Sequence, residues 1–109
     1  MAEDTEDKIL QLGGNIELSG FHDMDRGVMI ILKKMVGNYA RKMSDRIKNF
    51  EKLSLHLKKV HEKEKGEIYE IHARMLNDGG KLLTSIQTDR NLFVAADIAL
   101  KNVLKQVKE

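Results

Sequence analysis

The chain has 109 residues, with 19 Lys+Arg against 17 Asp+Glu and no Cys, Pro or Trp. That length fits one small domain, and 41% apolar with 33% charged residues is the balance of a folded globular chain rather than a disordered one. The lack of cysteine excludes a disulfide scaffold, a thiol nucleophile and every Cys-containing zinc site, and it points to an intracellular, cytoplasmic protein.

The start, Met1-Ala2-Glu3-Asp4-Thr5-Glu6-Asp7, is acidic where a secretory signal begins basic and continues apolar. The longest apolar run, Val28-Met29-Ile30-Ile31-Leu32, is far short of the ~20 residues that cross a bilayer, so no membrane partner is expected. The formal net charge of +2 hides an uneven distribution. Residues 33–59 hold nine Lys/Arg against Asp45 and Glu51, a net +7 able to attract a polyanion.

Residues 1–14 read as an acidic extension, with a short extra strand at 8–12 as a hairpin partner for the strand after it. From Asn15 to Phe21, Ile16, Leu18 and Gly20 alternate with Glu17 and Ser19, the pattern of a half-buried strand. The period then changes. Val28, Leu32, Met35, Tyr39, Met43 and Ile47 recur at steps of three and four, which predicts a long amphipathic helix with Asp23 and Asp25 capping its start. Gly37 in its middle suggests a close approach.

From Lys52 alternation returns in Leu53, Leu55 and Leu57, and again in Tyr69, Ile71, Ala73 and Met75. Pairing residues whose numbers sum to 128 sets Leu57 against Ile71, Leu55 against Ala73 and Lys58 against Glu70, and leaves residues 61–67 as a charged loop. Asp78-Gly79 predicts a two-residue hairpin that pairs Met75 with Leu82, Ala73 with Thr84 and Ile71 with Ile86. Leu83, Ser85 and Gln87 then face away from the core. Asn91 caps a last helix with Leu92, Ala96, Ala99, Val103 and Val107 inward, and with Asp97 and Lys101 as an i,i+4 pair. The expected fold is α/β in the α+β sense. It is a β-α-β-β-β-α two-layer sandwich over residues 15–109, with a four-stranded sheet and two helices on one face.

That order resembles the ribosome hibernation-promoting and ribosome-associated translation-inhibitor family, as do Ile16-Glu17-Leu18-Ser19-Gly20, Gly79-Gly80 before Leu82-Leu83-Thr84-Ser85, Asn91-Leu92-Phe93-Val94-Ala95-Ala96-Asp97, and Lys105-Gln106. The likeness spans about residues 15–108, and the order and spacing of the strings carry it. It implies a factor that occupies the small ribosomal subunit, or another structured RNA, and inhibits translation or protects idle ribosomes. It makes no covalent change, needs no cofactor and takes no small-molecule substrate. Its contacts are cations on rRNA phosphates. The candidates are Lys33, Lys34, Arg41, Lys42 and Lys48 on the first helix, and Lys101, Lys105 and Lys108 on the last. Lys52 and Lys58 join them only if the open sheet face also meets RNA.

The competing reading is a protein-protein module or homodimer that uses the open sheet face, with Ile68 and Leu83 exposed on it. His56 opposite His72, beside Ser85, invites a zinc site, but no third ligand completes it, and surface histidines are the plainer account. His61-Glu62-Lys63-Glu64 is not a His-Glu-x-x-His motif. Asp23 and Asp25 beside His22 have no nucleophile to serve, so no enzyme is expected.

Overall fold

In the computed structural model, which describes residues 9–11, 15–62, 64 and 66–107, five strands and two helices succeed one another along the chain. They are β1 (Ile9–Gln11), β2 (Ile16–Ser19), α1 (Arg26–Arg46), β3 (Phe50–Glu62), β4 (Gly66–Asn77), β5 (Leu82–Asp89) and α2 (Leu92–Gln106). The sheet order equals the chain order, with β2 and β3 parallel and every other neighbour antiparallel. The β-α-β-β-β-α core is the expected one. β1 adds a fifth strand at the edge, with Ile9 paired to Ser19 and Gln11 to Glu17. The acidic residues 1–7, Gly13, Gly14 and Lys108 lie outside the described residues.

Both helices pack on one side of the sheet, because the strand residues that alternate inward are the apolar ones. Leu18, Leu53, Leu55, Leu57, Ile71, Ala73 and Met75 form the floor, and Leu32, Val36, Met43, Ala96, Leu100 and Val103 cover it. The stripe of α1 runs through Leu32, Val36, Tyr39, Ala40 and Met43. Val28, Met35 and Ile47 are only partly buried beside it. Gly37 has open space around it, so no close approach occurs there.

Gly20 does mark one. Its φ is +85°, and a Cβ at that position would overlap the Leu57 carbonyl oxygen. Only glycine lets the chain leave β2 across the backbone of β3 at this point.

The β3–β4 register is the one that the opposed leucines and the Lys58/Glu70 pair specify. It continues through His61↔Glu67 to Glu62↔Gly66, so most of the expected loop at 61–67 is strand. The β4–β5 register differs by one residue from expectation: Met75 pairs with Leu83, Ala73 with Ser85 and Ile71 with Gln87. The cause is the turn. Gly80, at φ +87°, donates to the Asn77 carbonyl, and the Asn77 amide donates to the Lys81 carbonyl, which makes a three-residue loop. The Asn77 Oδ1 accepts from the Gly79 and Lys81 amides, each at 2.9 Å, and holds it closed. Leu83, Ser85 and Gln87 therefore lie on the helix side. Leu82 and Ile86, 51% and 57% exposed, lie on the open side.

Candidate nucleic-acid interface

Helix α1 starts where the Asp25 carboxylate accepts from the Gly27 and Val28 amides at 3.0 and 3.4 Å. Asp23 does not cap. It meets Lys59 of β3 at 3.1 Å, and that ammonium holds its carboxyl below the usual carboxylate range. The apolar stripe of α1 faces the sheet, so Lys33, Lys34, Arg41 and Lys42 are left exposed.

Lys34 and Lys42 line a groove of 360 Å³ together with Ile31, Met35, Asn38 and Tyr39 of α1 and Asp97 of α2. Tyr39 forms its floor, 9% exposed, and donates from its hydroxyl to the Asp97 carboxylate at 2.7 Å. Burial, and then that hydrogen bond, push the Tyr39 phenol up to about 12. The Lys42 ammonium lies 5.3 Å from the centre of the Tyr39 ring, and Lys101 sits 3.8 Å from Asp97. Lys34 and Lys42 thus line the groove that holds Asp97 while Lys101 pairs with it, an excess of positive charge that two helices distant in sequence create together. Arg41, seven residues beyond Lys34, extends the same line of α1, and Lys33 lies further round it.

Lys48 is not on the helix. α1 ends at Arg46 because Ile47 turns extended (φ −117°, ψ 122°), and Lys48 falls in the turn before β3. There it lines a second, larger cleft of 690 Å³ with Arg46, Lys81 and Gln106, over apolar Ile47, Met75, Leu83 and Val107. Nothing in the sequence pattern singles out Arg46 and Lys81. Lys81 becomes visible as a partner of Lys48 only once the β4–β5 hairpin is placed beside the end of α1. Lys105 is exposed in the last turn of α2. Gln106 donates to the Thr84 carbonyl at 2.9 Å and ties that turn to β5.

On the open face Lys52 is ion-paired to Glu17 at 3.1 Å, and Lys58 stands across from Glu70. His56 does lie opposite His72, with ring centres 6.0 Å apart, but Ser85 is on the far side of the sheet. The His56 Nδ1 is 2.8 Å from the Ser19 hydroxyl, and the His72 Nε2 is 2.6 Å from the Glu70 carboxylate. Among the described residues no group of three or more His, Asp or Glu is placed to hold a metal ion. None of their helices is long and apolar enough to cross a membrane.

No family model matches the chain, and no curated protein matches it. Among solved structures it is similar to the crystal structure of the Thermus thermophilus Protein Y N-terminal domain, with a TM-score of 0.52 and 17% sequence identity over 72% of this chain and 80% of that one. The likeness is one of fold.

Proposed function

We propose that this chain is a divergent member of the ribosome hibernation-promoting family, to which Protein Y belongs, and that it acts by occupying the small ribosomal subunit. The observation that carries this reading is a coincidence of fold and charge. A β-α-β-β-β-α sandwich of the Protein Y kind presents the exposed cations of α1, and those of α2 beside them, along one outer surface. Lys34, Arg41 and Lys42, with Lys33 at their flank and Lys101 and Lys105 across the groove, meet successive phosphates, while the packed core keeps their spacing fixed. Lys48, with Arg46 and Lys81, adds contacts at the end of α1. Occupation alone blocks the channel, no bond is made or broken, and a cytoplasmic location follows from the partner.

The test is gradient co-sedimentation with purified small subunits. Association is expected near 50 mM salt and should fall steeply toward 200 mM as counterion release loses its driving force. Sedimentation that ignores salt, or none at any salt, overturns the reading.

One observation favours the second reading, a homodimer or protein-docking module through the open sheet face. Leu82 and Ile86 are exposed there on the edge strand β5. Concentration-dependent mass in sedimentation velocity, abolished by Ile86→Lys, is the result that would favour it.

A further inference from the structure

The sheet face turned away from the helices has a dent in it. In one row across the strands Ser54 sits between Glu17 and Arg74, and in the next His56 sits between Ser19 and His72. Short serines among longer side chains leave a depression of 320 Å³ lined by these six residues. Its two carboxylate neighbours are already engaged, Glu17 by Lys52 at 3.1 Å and Glu70 by His72 at 2.6 Å. Arg74 is exposed and has no ion-pair partner among the described residues. Its planar fork of donors suits a tetrahedral oxyanion. In the tautomer in which the Ser19 hydroxyl donates to Nδ1, His56 carries its proton on Nε2 and can donate it, and the Ser54 hydroxyl is a further donor.

We propose that this dent is a binding site for a phosphoryl group, held by Arg74 together with Ser54 and His56, with His72 forming its wall. It is separate from the helix surface, and it stands whether or not the ribosome reading does.

The charges on this face of the sheet come from three strands. Glu17 comes from β2, Lys52 and Lys58 from β3, and Glu70 and Arg74 from β4. β5 adds the uncharged Thr84 and Ile86, β1 places the uncharged Ile9 and Gln11 in register with Ser19 and Glu17, and the helices lie on the other face. Three cations against two carboxylates leave the face at +1, a balance that favours an anion.

The experiment tracks the ring protons of His56 and His72 by NMR in the full chain, with two probes. Sulfate, whose charge is constant from pH 6 to 8, represents a compact phosphorylated metabolite. A uridine tetranucleotide without terminal phosphates represents an RNA backbone. Saturable shifts with sulfate alone support a small-molecule source, and saturable shifts with the tetranucleotide support the backbone. Arg74→Gln should weaken whichever probe binds by about tenfold or more, the loss of one charge-assisted contact. Ser54→Val, which fills the dent, should abolish binding while the amide spectrum keeps its native pattern. Shifts that never saturate with either probe, or that survive Arg74→Gln unchanged, overturn the proposal. Sulfate binding without ribosome co-sedimentation would sink the proposed function and leave this site standing.

Discussion

The two surfaces of this molecule carry similar residues and arrange them in opposite ways. On the helical layer the cations stack. Steps of seven and eight from Lys34 bring Arg41 and Lys42 to the same side of α1, with no acidic residue between them; Asp45 follows one turn further on, and Asp97 of α2 is held by Tyr39 and Lys101. On the sheet, period-two alternation and cross-strand pairing interleave the signs, so Lys52 meets Glu17 and Lys58 faces Glu70. A helix can collect like charge along its length, whereas an antiparallel ladder penalises like charge directly opposite. The first surface thus offers an extended field for a polyanion. The second is nearly balanced and holds one local donor cluster around Arg74.

The largest expected effect concerns the frame that both surfaces share. Gly20→Ala places a Cβ at positive φ against the Leu57 carbonyl and should destabilise the fold by about 3 kcal/mol, read as a shifted urea midpoint. A midpoint unchanged by this substitution would mean that β2 and β3 do not depend on the close approach.

Next in size is the reversal that distinguishes the surfaces directly. Lys34→Glu with Arg41→Glu should weaken subunit association by about a hundredfold at low salt and lower the salt slope by about 2, with the melting transition nearly unchanged. An equal loss of stability and binding would show these side chains to be structural.

Much of this contrast is readable from the sequence, and the misreadings have identifiable causes. The β3–β4 register is legible because one alignment satisfies the leucines and the Lys58/Glu70 pair together, and that same arithmetic extends to Glu62↔Gly66. The β4–β5 register is not, since Asp78-Gly79 suggests a two-residue turn and the left-handed residue is Gly80, with the Asn77 side chain bracing the wider loop. That single step moves Leu83 inward and Leu82 outward. The helical period carries on to Lys48 because neither Gly nor Pro marks the end of α1, which stops where Ile47 turns toward β3. Asp97 is visible as a helix-face partner of Lys101. Its meeting with Tyr39 joins residues 58 positions apart, which no local pattern encodes.

That contact is the third point of test, because it locks the groove between the helices. Tyr39→Phe should cost about 2 kcal/mol at neutral pH, the loss of a hydrogen bond to a charged acceptor. The phenol, ordinarily near 10.0, is raised to about 12 in the fold, so the native state holds its proton more tightly than the unfolded chain does. The associated stability is complete below pH 10 and is lost as pH rises toward 12. The gap between wild type and Tyr39→Phe should therefore narrow above pH 10 in paired denaturation curves. A gap independent of pH would remove the Tyr39 proton from the account.

The smallest expected effect is the most discriminating between the two faces. Lys52→Gln with Lys58→Gln removes two cations, as the α1 reversal does, but from positions where carboxylates already face them. The Lys52–Glu17 pair is 41% and 22% exposed, and a bridge that wet contributes only about 0 to 1 kcal/mol, so the melting transition should move little. Subunit association should weaken less than threefold, with no resolved change in salt slope, because a cation already neutralised by a neighbouring carboxylate releases little counterion from a phosphate. A fall in slope of about 2 in this variant would place the open face against RNA as well. The protein would then be gripped from both sides, and the contrast between a free helical surface and a self-neutralised sheet would fail.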